Sequence, residues 1–173
     1  MSRILLKRRC PEDFETYYKW YKLKSNQRLI GCSLPKTKRG ILRILEKSVK
    51  DKKNYEFSVY DKKSGKLIGT CQIYLKGNKT GGLYIFIGDK NFRGKGYGTE
   101  ILKHLIKIGF DELNLNKLKA SVIEYNKASI NLFKNFGFKL AKVKKKSWKY
   151  NSAYYDNYIF ELSKSDLNKL HLR

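Results

Sequence analysis

The stretch GGLYIFIGDKNFRGKGYGT, Gly81–Thr99, decides how the rest of the chain is read. Leu83, Ile85 and Ile87 alternate with Tyr84 and Phe86, the period-2 pattern of a strand. Gly88-Asp89 ends that strand as a turn pair. Arg93-Gly94-Lys95-Gly96-Tyr97-Gly98-Thr99 follows, with glycine at every second position and basic residues around the first. Beyond it Ile101, Leu102, Leu105, Ile106, Gly109, Phe110 and Leu113 recur at helical spacing and predict an amphipathic helix to Asn114. A basic, glycine-rich loop therefore joins a buried strand to a helix N-terminus. The first turn of a helix offers unpaired N–H groups and the positive end of its dipole. Glycines let successive N–H groups converge on an anion with nothing protruding from Cα. The pattern reads as a pyrophosphate cradle.

Two familiar phosphate loops do not fit. A Walker loop closes on Gly-Lys followed by Ser or Thr, whereas Gly96 follows Lys95 here and no hydroxyl is placed for magnesium. The dinucleotide fingerprint G-x-G-x-x-G fails because these glycines run G-x-G-x-G. A second motif lies downstream. Leu118–Glu124 alternates again, and Asn126, Ala128, Ser129, Leu132, Phe133, Gly137 and Phe138 give N-x-A-S-x-x-L-F-x-x-x-G-F. Gly137 also suits a helix C-cap after Phe136.

Arg93-x-x-Gly96-x-Gly98 resembles the coenzyme A loop of the GNAT superfamily of acetyl-CoA-dependent N-acetyltransferases, and the Asn126–Phe138 motif is similar to that family's later segment. The resemblance covers roughly residues 1–162 and is strongest over 82–139. It implies a single α/β domain over residues 1–173, with a mixed central sheet of about seven strands and about four flanking helices. It also implies a splay between the fourth and fifth strands, into which the acyl-pantetheine slots. Acetyl-CoA would be the co-substrate, with no metal. Arg93, Gly94, Lys95, Gly96, Tyr97, Gly98 and Thr99 would hold the pyrophosphate and Asn126 the pantetheine, with Phe133 also among the coenzyme-binding residues. Backbone N–H groups around Phe86, Ile87 and Gly88 would polarise the thioester carbonyl.

Phe133 departs from the family pattern, in which a Tyr at this place is the proposed acid for the departing thiolate. A thiol of pKa near ~8.5 leaves tolerably as thiolate. Unloading an amine of pKa near ~10 is harder and needs a carboxylate or a water relay. Glu124 is the first candidate base; Tyr84, Tyr125 and Tyr155 are candidates to orient water or supply a proton. Tyr18, Trp20, Ile68-Gly69, Ile87-Gly88-Asp89 and Tyr155-Asp156 resemble the branch of ribosomal-protein N-terminal, diamine and amino-sugar acetyltransferases. An Arg common in the sixth strand of that branch is replaced by Lys within Lys142–Lys149.

In chain order, Arg3–Leu6 starts the sheet, and Pro11-Glu12-Asp13 opens a helix through Phe14, Tyr17 and Tyr18 to about Tyr21. Ser25–Arg39 lacks a clear period, carries Gly31 and Pro35, and reads as a loop. Ile41, Leu42, Leu45 and Val49 predict a second helix. Tyr55–Tyr60 and Lys66–Leu75 form a hairpin around Asp61–Gly65, and Gly77–Gly82 is the next turn. Lys139–Lys149 and Tyr154–Leu162 make a second hairpin, and Ser163–Arg173 is a charged tail or short helix.

Composition sets the remaining bounds. A chain of 173 residues is long enough for a proper core, and no apolar run approaches a membrane span. The N-terminal MSRILLKRRCPED does not read as a secretory signal. Cys10, Cys32 and Cys71 read as free thiols of a cytoplasmic protein. His104 and His171 have no Ser, Cys or carboxylate at readable spacing, so neither triad nor metal chemistry is indicated. The net charge of +24 attracts polyanions, but only eight of 39 basic residues are Arg, and a Lys and Asn excess is also what an AT-rich genome produces. The partners expected are acetyl-CoA and an amine acceptor: a nucleotide-linked amino sugar, a polyamine or a protein N-terminus. A cationic chain disfavours free polyamines unless Glu12, Asp13, Glu15 and Glu46 form an acidic patch. A homodimer and a ribosomal or nucleic-acid partner stay open, the latter with an inactive RNA-binding module as the rival reading.

Overall fold

The computed structural model describes residues 2–31, 37–51 and 53–171. Its strands are β1 (Ile4–Arg8), β2 (Asn54–Asp61), β3 (Leu67–Leu75), β4 (Thr80–Ile87), β5 (Lys117–Ile123), β6 (Lys139–Tyr150) and β7 (Ala153–Ser163). Its α-helices are α1 (Phe14–Lys22), α2 (Lys24–Ile30), α3 (Lys38–Lys50), α4 (Tyr97–Lys107), α5 (Lys127–Asn135) and α6 (Lys164–His171). The strands make one mixed seven-stranded sheet in the order β1-β2-β3-β4-β5-β7-β6. β1, β2 and β3 pair antiparallel, as do β5, β7 and β6. β4 and β5 are parallel, from Thr80 opposite Lys117 to Leu83 opposite Ala120. This is the α/β fold, with its mixed seven-stranded sheet, that the family resemblance implies.

Three expectations change. The segment expected as a loop from Ser25 holds α2, and the helices number six among the described residues rather than about four. Nothing periodic marks α2, because tertiary bonds hold it. Asn26 Nδ2 donates to Trp20 O at 3.1 Å and Gln27 Nε2 to Tyr21 O at 2.7 Å, so α2 satisfies the orphan carbonyls at the end of α1. Gly31, with φ of 76°, closes it. β4 begins at Thr80, inside the expected Gly77–Gly82 turn. The helix expected to reach Asn114 leaves α geometry after Lys107 and runs on as a π-helical turn, Ile108–Glu112. Cys32, Pro35 and the side chains of Val49 and His171 lie outside the described residues.

The chain divides into two compact units, Met1–Tyr74 with Tyr84–His104, and Leu75–Leu83 with Leu105–Arg173. The first buries Phe14, Tyr17, Trp20 and Tyr21 of α1 with Ile41 and Leu45 of α3 and Phe86 of β4. The spacing along α1 is the helical period, so one face is apolar and aromatic. The Trp20 and Phe86 rings meet edge to face at 6.3 Å. A polar chain is built into the same unit. Tyr17 Oη lies 2.6 Å from Ser58 Oγ, and Ser58 Oγ and Tyr60 Oη each donate to the Asp13 carboxylate at 2.5 Å. Burial pushes the Tyr17 phenol up to about 12. Beside this chain the buried Arg9 guanidinium pairs with Glu56 at 2.6 Å and donates to Thr70 Oγ1 at 2.7 Å. The second unit buries Phe110, Leu115, Leu118, Phe133, Phe138, Phe160 and Leu162.

Candidate functional site

The glycine-rich loop begins where β4 ends. Asp89 Oδ1 accepts from Asn91 N at 2.9 Å and caps a short 3-10 turn, Lys90–Phe92. Gly94 (φ 71°) and Gly96 (φ 83°) both sit in the left-handed region, where other residues are strained. Lys95 lies between them and Tyr97 opens α4. Among the described residues, the N–H groups of Gly94, Lys95 and Gly96 donate to no backbone or side-chain acceptor. Alternating left-handed residues ahead of a helix start turn such groups toward a common point, the form of an anion nest.

The loop is tied down from the N-terminal strand. Arg3 Nη2 donates to Lys95 O at 3.0 Å, Arg3 Nε donates to Glu100 Oε1 at 2.5 Å, and the guanidinium lies 4.4 Å from the centroid of the Tyr97 ring. Tyr97 Oη donates to Asp61 Oδ1 at 2.8 Å. That bond pulls the Asp61 carboxyl down, after the larger effect of two hydrogen bonds from Ser64. Tyr97 is therefore buried structure, while Lys95 and Thr99 are exposed and Gly98 half-buried.

Arg93 turns away from the nest. Its Nε donates to Ile87 O at 2.8 Å, and its Nη2 donates to Gly88 O at 3.0 Å and to Asn26 Oδ1 at 2.6 Å. Burial lowers its pKa from the ordinary arginine value. At the end of β4 the Gly88 N–H donates to Ile68 O at 2.9 Å, so that donor is already used. Successive N–H groups of a strand point to opposite edges, which turns the Ile87 N–H the other way. A Cβ on Gly88 would stand 2.1 Å from the Trp20 ring, so only glycine fits there. The Phe86 side chain belongs to the core.

In the second unit Asn126 caps α5, its Oδ1 accepting from Ser129 N at 3.2 Å. Among the described residues its Nδ2 has no partner. Phe133 is buried, edge to face with Phe138 at 5.1 Å and stacked on Phe160 at 6.4 Å. Glu124 is half-buried and its Oε1 accepts from Asp156 N at 3.0 Å. The Tyr125 and Tyr155 rings meet edge to face at 4.9 Å. The pairing of β5 with β7 thus gathers Glu124, Tyr125 and Tyr155, all three of them candidates for the proton transfer. Asp156 adds a carboxylate that accepts from Lys145 Nζ at 2.7 Å and Lys146 N at 2.9 Å.

Two sequence readings look different in three dimensions. Asp13 is buried and Glu15 is paired with Lys38, so neither is a free member of an exposed acidic patch. His104 does have a hydroxyl neighbour: folding brings Ser2 Oγ to 3.1 Å from its Nε2, across 102 positions. The Glu100 carboxylate engages Ser2 and Arg3 rather than the imidazole, which is not the order of a nucleophilic triad. The described residues hold no group of three His, Cys, Asp or Glu arranged for a metal.

Residues 3–139 match the family model described as acetyltransferase (GNAT) domain. Among curated relatives, "Uncharacterized N-acetyltransferase p20" of Bacillus licheniformis is 32% identical over 111 residues, 64% of this chain and 62% of that protein. The match thus spans less than two thirds of that relative's length. Among solved structures, a spermidine N-acetyltransferase from Vibrio cholerae in complex with CoA and spermine is similar with a TM-score of 0.88 and 18% identity, covering 97% of this chain and 99% of that one. An acetyltransferase (GNAT family) from Bacillus anthracis is similar with a TM-score of 0.83 and 19% identity, covering 95% of this chain and 96% of that one. At such identities these likenesses speak to the fold.

Proposed function

Because the chain belongs to the GNAT acetyltransferase family, we propose that it is an acetyl-CoA-dependent N-acetyltransferase acting on a primary amine. The observation that carries this reading is the nest: Gly94 and Gly96 in left-handed geometry at the start of α4, with loop N–H groups engaged by nothing in the protein. The backbone of Gly94–Thr99 would hold the pyrophosphate, with Lys95 as the exposed cation beside it. The Ile87 N–H would polarise the thioester carbonyl, since the Gly88 N–H is spent on Ile68. Asn126 Nδ2 would serve the pantetheine while Oδ1 keeps its cap.

The amine would attack the carbonyl directly, in a ternary complex. Its proton needs an acceptor, because an alkylamine of pKa near ~10 is mostly protonated at neutral pH. Glu124 is the carboxylate proposed for this, directly or through water, with Tyr155 orienting the relay. Phe133 gives no proton, so the thiol leaves as thiolate. The acceptor is an amino sugar linked to a nucleotide, a polyamine or a protein N-terminus. The Vibrio cholerae neighbour supports the polyamine, while the +24 charge supports a phosphorylated or ribosomal acceptor.

Free-thiol release from acetyl-CoA, measured with a panel of these amines and an amine-free blank, tests the proposal. Amine-dependent release from one member supports it. No release from any, together with salt-dependent RNA affinity, would favour the rival of a basic RNA-binding module on the same fold.

A further inference from the structure

The corner between β4 and the nest is pinned more heavily than a turn requires. Two consecutive peptide groups are fixed at both ends. The peptide joining Ile87 and Gly88 has its carbonyl held by Arg93 Nε at 2.8 Å and its N–H on Ile68 O at 2.9 Å. The next, joining Gly88 and Asp89, has its carbonyl held by Arg93 Nη2 at 3.0 Å and Asn26 Nδ2 at 3.3 Å, with its N–H 3.2 Å from the same Ile68 O. Trp20 packs against Gly88 so closely that no side chain fits, and Asn26 Nδ2 holds Trp20 O at 3.1 Å. Asn26 is fully buried. Its amide accepts from Arg93 at 2.6 Å while donating to both carbonyls, a combination that neither a carboxylate nor a hydroxyl supplies.

We propose that Asn26 and Arg93 form a positioning pair that fixes the two peptides following Ile87, and through them the orientation of the adjoining Ile87 N–H that meets the acyl carbonyl, while the Arg93 side chain stays off the pyrophosphate. The inference rests on the acetyl-CoA reading above. The donor arithmetic leans toward the second half: three of the five guanidinium N–H groups, the one on Nε and both on Nη2, are committed to Ile87, Gly88 and Asn26, which leaves only the two on Nη1 for any anion. A donor aimed at a developing oxyanion acts only if it is held in place before reaction, and small misplacements cost rate rather than binding. The pair therefore belongs to turnover, and α2 exists in part to deliver Asn26.

Arg93→Lys and Asn26→Asp test this, each checked for folding by circular dichroism; Arg93→Gln replaces the first if it fails to fold. Arg93→Lys keeps a charge for phosphate but loses the fork. Asn26→Asp keeps the acceptor but turns an oxygen on two carbonyls. Three quantities are measured: kcat with acetyl-CoA and the amine found active, CoA affinity by calorimetry, and amide exchange over residues 86–93 without ligand. Both variants should lose roughly 10–100-fold in kcat, keep CoA Kd within about threefold, and exchange about tenfold faster across the corner. If Arg93→Lys matches wild type in all three while Arg93→Ala weakens CoA by about tenfold or more, Arg93 is a phosphate ligand and the proposal is overturned. Unchanged kcat in active, folded variants overturns it too. Wild type that binds no acetyl-CoA overturns the acetyltransferase reading and the turnover role with it, a different result from unaffected variants.

Discussion

Phe133 shows how one residue can matter to chemistry by what it lacks and to stability by what it fills. Its ring sits between Phe138 and Phe160, fully inside the second unit. Phe133→Ala should cost about 3–5 kcal/mol in urea unfolding, since the cavity cannot collapse between two other rings. Phe133→Tyr should leave acetyl-CoA affinity unchanged, and an affinity loss in that variant would give the ring a direct role in binding. Gly96 is the complementary case. Its φ of 83° is strained for any side chain, and a carboxylate there faces the nest. Gly96→Glu should abolish CoA binding with the fold retained by circular dichroism; unchanged affinity would remove the nest from the site.

At the scale of elements, Asn126 carries two separable roles. As the cap of α5 it should contribute about 0.5–2 kcal/mol, read by Asn126→Ala in denaturant. Asn126→Asp keeps an acceptor for Ser129 N but removes the Nδ2 donor, so it should hold stability and weaken acetyl-CoA. If Asn126→Asp binds as wild type does, the residue is a cap and nothing more. The elements that periodicity describes were legible: β4, α4, β5 and α5 each repeat at one clear spacing, and the resemblance rests on them. α2 was not, because Lys24–Ile30 is short and its order comes from Asn26 and Gln27 reaching the carbonyls of α1. The same limit hid the site's supports. Arg3 meets Lys95 and Glu100, and Asn26 meets Arg93, across more than sixty positions, and no local pattern announces such pairs. Arg93 itself was legible as part of the motif, but the direction of its side chain was not.

For the molecule as a whole, charge sets two dependences. Thirty-nine basic against fifteen acidic residues repel one another, so added salt should raise the unfolding midpoint from its low-salt value by screening. A midpoint that falls with salt would mean that the ion pairs outweigh the repulsion. Acid should destabilise as well. Hydrogen bonds from Lys119 and then Lys117 hold the Glu161 carboxyl below its usual value, and Lys145 and then Lys146 do so for Asp156. A depressed folded pKa stabilises the fold above the unfolded carboxylate range and is lost as pH falls through it, from about pH 4.5 downward. Glu161→Gln should flatten that acid limb in pH-dependent unfolding, and an unaltered limb would place the acid sensitivity elsewhere.

If the nest is the acetyl-CoA site proposed above, it selects acetyl-CoA over anions in general. Thermal unfolding with saturating acetyl-CoA, and separately with ATP at matched ionic strength, tests it most directly. A ligand of the folded state at about a hundred times its Kd adds about 2.7 kcal/mol, so acetyl-CoA should raise the midpoint by several degrees and ATP by little. Equal shifts would mean that a basic protein is binding polyanions generically. No shift with acetyl-CoA would mean that the nest does not bind it.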